Sequence, residues 1–270
     1  MDKIDKEPSN TYTSVVESVF QVDRSAWNNC VNFIDDNRNI GNPFLSHEFF
    51  SCLEESGSVS KETGWISQHI LLFEKDNSLI GILPNYLKYH SWGEYIFDQV
   101  FANAWENAGG KYYPKLLSAI PFSPIAGDRF LIKDGYNHKF VIEKLLVALE
   151  ELKKFYKVSS AHINFINEPQ LKIALKNKFW LERNNIQFHW SNQNYENFEH
   201  FLSKLSSSKR KTIRRERNEI HKSPILIEVV KNDDIKNYHS KIFYDFYLST
   251  IEKKWGGVYL NQKFWDLLIQ

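Results

Sequence analysis

An α/β (α+β) fold, a mixed β-sheet with helices packed on it, is the architecture this sequence predicts. Apolar runs of strand length and amphipathic runs of helix length interleave from end to end, so the hydrophobic period switches too often for an all-helical or all-β chain. Of 270 residues, 42% are hydrophobic and 15% aromatic, ample for one full packed domain and part of another. No self-similarity at a solenoid period competes with this reading.

Residues 1–13 read as a disordered polar lead. Ser14–Val22 then shows the β-branched alternation of a strand, and Ser25–Ile34 the spacing of a helix through Trp27, Cys30, Val31 and Ile34. After the Asn42-Pro43 stop, Ser46 is placed to N-cap a short helix that turns Phe49, Phe50 and Leu53 inward and ends at Gly57. Ile70–Phe73 and Leu79–Tyr89 form a predicted antiparallel hairpin across the polar link Glu74–Ser78. Ser91-Trp92-Gly93-Glu94 has the form of a capping box, opening a helix through Phe97, Phe101, Ala104, Trp105 and Ala108 to the stop at Gly109-Gly110. Lys111–Arg129 is a proline-punctuated return. Then follow a helix Lys139–Tyr156, a strand Ser160–Ile166, a helix Pro169–Lys176, a strand Ile186–Trp190 and a helix Tyr195–Leu205. From Ser206 the run SSSKRKTIRRERNEIHKS predicts a basic helix: Arg210, Arg214, Arg217 and His221 share one row, Lys211, Arg215 and Lys222 the adjoining one, and Ile213 and Ile220 a narrow apolar stripe. Past Pro224, Ile225–Val230 reads as a strand and Ile235–Thr250 as a helix.

Charge and cysteine content exclude several function classes. Lys and Arg number 34 against 33 Asp and Glu, so only local asymmetry can attract a polyanion. The N-terminus lacks an apolar signal region, and no window approaches the roughly 18 apolar residues of a membrane helix, which predicts a soluble, cytoplasmic chain. Cys30 and Cys52 lack CxxC spacing or a histidine cluster, so neither a disulfide framework nor a metal site is indicated.

The segment Pro84–Arg129 concentrates aromatic, proline and charged residues beyond what a scaffold needs. Its candidate catalytic residues are His90, which titrates near neutrality, and Glu94 and Asp98, four apart on one expected helix face. Glu94 also has a purely structural account as the capping carboxylate, and His90 as a structural hydrogen-bonder. Tyr112, Tyr113 and Lys115 flank Pro114 on a stiff turn and, with Tyr95 and Arg129, are candidate substrate contacts. On the basic helix, Lys209, Arg210, Lys211, Arg214, Arg215 and Arg217 suit phosphate recognition, the competing account being a solvated helix paired to acidic neighbours. Ser123 lacks a nucleophile-elbow pattern, and no Q/R-x-x-G-x-G/A pyrophosphate loop supports acetyl-CoA use.

NPFLSHEFFSCLEESGSV at Asn42–Val59, TGW at Thr63–Trp65, YLKYHSWGEYIFD at Tyr86–Asp98 and YYPKLLSAIPFSPIAGDR at Tyr112–Arg129 resemble the FemAB-like predicted N-acyltransferases, also labelled peptidoglycan biosynthesis or recognition proteins. FHW at Phe188–Trp190, SSSKRKTIRRER at Ser206–Arg217 and KWGGVYL at Lys254–Leu260 extend the resemblance over nearly the whole chain. Trp92 stands where a tyrosine is usual, Ser67 where proline is common, Ser123 for threonine and Asp128 where proline is frequent. The resemblance implies tandem GNAT-like domains: a first over 14–192, a helical connector with a basic face over 193–222, and a partial second over 223–270, with the chain truncated inside FWDLLIQ. Implied with it are a bacterial, cytoplasmic transferase without a permanently bound cofactor, an aminoacyl-tRNA or acyl-CoA donor, and a small-molecule or lipid-linked amine acceptor. Partners would be that acceptor, an acyl carrier and tRNA. The alternatives are a nucleic-acid-binding module using the basic helix 209–217 and an inactive truncated scaffold.

Overall fold

The computed structural model describes residues 6–31, 41–231, 234–254 and 257–270. Ile34, expected in the first helix, and Trp255-Gly256 of the last quoted motif lie outside them. The fold is mixed α/β and divides into two compact units, residues 1–181 with 236–270, and residues 182–235.

Two four-stranded sheets organise the first unit. In one, β1 (Thr11–Val16), β3 (His69–Glu74), β4 (Leu79–Leu83) and β7 (Leu131–Ile132) pair antiparallel in that order. In the other, β2 (Trp65–Ser67), β5 (Tyr86–Lys88) and β6 (Lys115–Ser118) are antiparallel, and β8 (Ala161–Ile163) adds parallel to β6. The strand expected as one run, Leu79–Tyr89, is therefore two strands in different sheets. Pro84 has no amide to donate to a ladder, and Asn85 joins the sheets instead, its carbonyl accepting from Gln68 N at 2.7 Å and its amide donating to His69 Nδ1 at 3.2 Å.

β3 and β4 are apolar on both faces because helices cover both. Leu71 and Ile82 belong to the core shared with Trp27 of α1 (Arg24–Val31) and Phe50 and Leu53 of α2 (His47–Glu55). Ile70, Leu72, Ile80 and Leu83 join Val141, Ile142, Leu145 and Leu149 of α4 (His138–Tyr156). Alternation of period two across β3 meets a heptad-like stripe on α4, and each large side chain so buried contributes roughly 1.5–3 kcal/mol before entropy. Ser46 caps α2 as expected, accepting from Phe49 N at 3.2 Å. Gly81 is where α4 lies closest to the sheet: an added Cβ would sit 2.5 Å from Val141 Cγ1. Gly81→Ala is expected to destabilise by about 1–3 kcal/mol through overpacking, measured as a lower urea midpoint with an unchanged m-value.

Several expectations are corrected. The lead placed at 1–13 is ordered from Lys6 onward: Lys6 Nζ is 2.6 Å from Glu74 Oε1, and β1 begins at Thr11 because its alternation pairs with β3. The helix expected from Ser91 begins at Gln99, as α3 (Gln99–Asn107). Ile186–Trp190 and Ile225–Val230 form no strand; Phe188 and Leu226 are 98% and 90% exposed, and no neighbouring strand satisfies their backbone. The partial second domain drawn at 223–270 is split: α8 (Asn237–Glu252) and α9 (Gln262–Leu268) belong to the first unit, where Phe264 is buried and meets the Phe49 ring edge-on at 6.1 Å. α5 (Glu168–Ala174) completes that unit. In the second unit lie α6 (Phe198–Ser203) and the basic helix α7 (Ser207–Lys222). Among the described residues, no helix is long and apolar enough to cross a membrane, and no group of three metal-ligating side chains is present.

Candidate functional site

The second sheet brings Trp65, Lys88 and Lys115 side by side, because the registers Trp65↔Lys88 and Lys88↔Lys115 run straight across β2, β5 and β6. Two lysines directly opposite one another repel unless acids neutralise them. The acids come from the loop between β5 and α3. Lys115 Nζ donates to Asp98 Oδ2 at 2.6 Å, Ser91 Oγ at 2.7 Å and Glu94 Oε2 at 2.8 Å, so one ammonium uses its three protons on three points of a single loop. Ser91 Oγ and Tyr112 Oη also donate to Asp98 Oδ2, at 2.9 and 2.8 Å, and the Tyr113 hydroxyl lies 2.8 Å from Ser91 Oγ. Glu94, Asp98, Lys88 and Lys115 are all at most 3% exposed, and Glu94 Oε1 and Asp98 Oδ1 are buried without a hydrogen-bond partner.

This network explains the missing helical turn. A capping box is worth about 1 kcal/mol, whereas charge-assisted bonds to a buried ammonium are roughly twice as strong as neutral ones. Ser91 and Glu94 are accordingly spent on Lys115, and Asp98, at the N-cap of α3, makes no side-chain cap bond. Gly93 at φ +78° shapes the loop, where a Cβ would stand 2.6 Å from Phe122.

The groups differ in basicity. Burial pushes the Lys88 amine down to about 6, Glu94 pulling it up and Lys115 pushing it further down. Its Nζ lies 3.5 Å over the Trp65 ring and donates to the Trp92 carbonyl at 3.3 Å. Glu94 is raised by burial against the opposing charge of Lys115. Burial also pushes Asp98 upward, but its hydrogen bond and charge contact with Lys115, helped by Ser91 and Tyr112, outweigh it and hold the carboxyl below its ordinary value. Burial and the bond to Asp98 raise the Tyr112 phenol. The arrangement therefore holds a fixed ion cluster beside an amine that is a free base at neutral pH.

Of the residues singled out in the sequence, Glu94, Asp98, Tyr112, Tyr113 and Lys115 meet in this cluster. His90 stands beside it with both ring nitrogens on the backbone: Nε2 is 2.9 Å from Thr63 O, and Nδ1 accepts from Trp92 N at 3.2 Å. Burial, then the charge of Lys88, lowers its pKa; it orients the loop. Arg129 is enclosed rather than open to substrate: Nε donates to Asn164 O at 2.7 Å, Nη1 to Asp128 O at 2.8 Å and Nη2 to Ile125 O, and burial lowers its pKa to about 10. Tyr95 points outward, 45% exposed. Lys88 and Ser91 were missed; a lysine ending the apolar run Tyr86–Lys88 is the signal that marks the first.

The basic helix also departs from expectation. The row of Arg210, Arg214 and Arg217, expected to suit phosphate recognition, folds back on α6: Arg210 Nη1 donates to the Ser203 carbonyl at 3.3 Å and the Leu202 and Leu205 carbonyls at 3.4 Å, Arg214 pairs with Glu199, and Arg217 lies 4.3 Å over the Phe198 ring. Carbonyls at the C-terminus of α6 attract cations, which decides the docked row. A groove of about 510 Å³ runs along α7, lined by Arg210 and Arg214 of the docked row together with Lys211, Arg215, Lys222 and the acidic Glu219. Lys209 lies near the start of the helix, its amide bonded to the Ser206 cap.

A search of curated proteins returns no match. Among solved structures, the aminoglycoside antibiotic 6′-N-acetyltransferase AAC(6′)-Ih from Acinetobacter baumannii aligns at a TM-score of 0.36 and 11% identity, covering 68% of this chain and 99% of that one. The FemAB-like family model, described as peptidoglycan biosynthesis/recognition, matches residues 18–270, and the chain belongs to that family.

Proposed function

We propose that the protein transfers an acyl or aminoacyl group to an amine of a peptidoglycan precursor, with the cluster around Lys88 and Lys115 as its chemical centre. The observation that carries this reading is Lys88, a buried amine held at about 6. An amine acceptor reaches the protein as an ammonium and must lose a proton before it attacks an acyl carbon; a free-base amine accepts it. Glu94, raised by burial, and Asp98, held ionised by Lys115, flank that transfer. The reading requires loop 91–98 to lift, because Lys88 is fully enclosed beneath Trp92. Mass spectrometry of muropeptide precursors incubated with charged tRNA or acyl-CoA tests it directly. A mass increase at the acceptor amine that Lys88→Met eliminates supports the reading, and absence of product with every donor removes it.

The groove along α7, in the second unit, carries a separate expectation, that Lys211 and Arg215 contact the phosphates of tRNA. Lys211→Ala is expected to lower the slope of log affinity against log salt for tRNA by about 0.7–0.9. If tRNA binding is equally steep without Lys211, the groove is not the phosphate contact. If tRNA binds tightly but no acyl group moves, the nucleic-acid-binding alternative replaces donor recognition.

A further inference from the structure

β8 stands at the edge of the second sheet, in the order β2-β5-β6-β8, and pairs parallel with β6 through Leu116↔Ala161 and Leu117↔His162. One place earlier, Leu116 N donates to the Ser160 carbonyl at 3.0 Å, which sets Ser160 beside Lys115. Side chains two apart on a strand share a face, so Ser160 and His162 stand on the face that carries Lys115 and Lys88. Neighbouring strands lie about 4.8 Å apart, and Ser160 is one strand from Lys115 and two from Lys88. The Tyr112 ring joins the two places: its centroid is 6.2 Å from that of His162, and its hydroxyl bonds Asp98. Ser159 Oγ donates to the Tyr112 carbonyl at 2.6 Å and holds this stretch of chain against it.

Ser160 Oγ lies 2.8 Å from His162 Nε2. That bond holds no two elements together, since both residues flank Ala161 on the same stretch of chain. Three other imidazoles behave differently: His47 Nε2 reaches the Val19 and Val22 carbonyls, His69 Nε2 reaches Glu54, and His90 Nε2 reaches the Thr63 carbonyl. Each of those links distant segments. Ser160 and His162 are also only half-buried at the sheet edge, whereas Lys88 and Lys115 are enclosed. A hydroxyl within hydrogen-bond reach of an imidazole nitrogen is the arrangement that activates a weak oxygen nucleophile, when Nε2 is unprotonated and accepts from the hydroxyl.

We propose that Ser160, with His162 as its base, is a nucleophile that takes the acyl group from an ester or thioester donor and carries it as an acyl-serine. Ser160 Oγ attacks the acyl carbon as His162 Nε2 accepts the hydroxyl proton. The carbon–oxygen or carbon–sulfur bond of the donor then breaks, and the imidazolium returns the proton to the leaving group. This step needs no lifting of loop 91–98: a large donor reacts at the sheet edge, and only its acyl group has to approach the enclosed amine. Passage of the acyl group to an acceptor rests on the acyl-transfer reading above. Once Lys88 has taken a proton from the acceptor ammonium, the amine nitrogen attacks the ester carbon, the bond to Oγ breaks, and His162 carries the surplus proton from that nitrogen to Oγ.

The test is incubation of the full chain with p-nitrophenyl acetate, read as release of p-nitrophenolate and as mass-spectrometric mapping of the acetyl group. A burst equimolar with protein is expected, with the acetyl group on Ser160 and removed by alkaline hydroxylamine, which cleaves esters and spares amides. Ser160→Ala should abolish the burst and His162→Ala should slow it by about 10²–10⁴, with circular dichroism unchanged; Ser123→Ala, at a serine no step uses, should retain it. His162→Asn separates base from structural partner, because an amide can bond the hydroxyl but cannot take its proton: this variant should be as slow as the alanine one, and a full burst from it overturns the proposal. So does an acetyl group on Ser159, a hydroxylamine-stable acetyl group on Lys88, or no acylation at all. Acylated Ser160 that passes its group to no amine keeps the nucleophile and removes the transferase reading. Transfer to an amine at the parent rate by Ser160→Ala keeps the transferase and overturns the acyl-serine.

Discussion

Lys115→Met is expected to cost about 3–5 kcal/mol of stability, the range for removing one partner of a buried ion cluster. The penalty arises from what is left behind. Glu94 and Asp98 each already have one buried oxygen without a partner, and the substitution removes the charge that compensates the others. Ser91 loses a donor at the same time, so loop 91–98 is released from the sheet along three contacts. Urea denaturation measures the first effect and amide hydrogen exchange within 91–98 the second. Adding Glu94→Gln and Asp98→Asn to Lys115→Met should recover part of the loss, because neutral amides cost less to bury than unpaired carboxylates. A change below about 1 kcal/mol would mean that the cluster behaves as an exposed ion pair, and the closed site described above would be wrong.

Lys88→Met is expected to lower kcat/KM by about 10²–10⁴, the usual contribution of a positioned proton acceptor, while leaving the chain folded. Its linkage to pH makes the assignment specific. The amine titrates at about 6 in the folded chain against an ordinary 10.5, so between those values the unfolded state binds a proton that the native state does not. Stability therefore rises with pH across that window, by at most about 1.4 kcal/mol per pH unit, and the contribution levels off below about 6. Methionine has no proton to bind, so the variant should show a flatter profile and be more stable than the parent at pH 7. Activity of the parent should climb through pH 6 and reach a plateau as the amine loses its proton. A variant that retains transfer, or a parent whose stability does not change between pH 7 and 9, contradicts the role given to Lys88.

How much of the site was legible in the sequence differs residue by residue. Tyr112 and Tyr113 lie on the predicted return, but Lys115 opens β6 and is buried with Tyr112 instead of standing on an exposed turn, because strand pairing continues to that residue; Glu94 and Asp98 come near them because glycine and proline punctuation brings the return back past the preceding loop. The capping box at Ser91–Glu94 was misread for a physical reason: local spacing identifies groups able to cap a helix, but a buried ammonium on a neighbouring strand binds the same groups more strongly. Lys88 escaped notice because its importance depends on which residues stand beside it, and register between strands is not written in any one strand. In α7, the rows of charge were read correctly from the helical period, whereas the face that docks was decided by the carbonyl ends of α6.

Composition and periodicity by themselves determined the α/β class, the long helices α4 and α7, the Ser46 cap and the β3–β4 hairpin, since each depends on groups within a few residues of one another. Tertiary structure alone decided that Pro84–Asn85 divides one apolar run between two sheets, that the C-terminal helices join the first unit, and that Trp65, Lys88 and Lys115 form one row. The physical reason is common to all three: burial of charge and pairing of backbone depend on neighbours brought from distant parts of the chain, and their energies exceed the local preferences that a sequence displays.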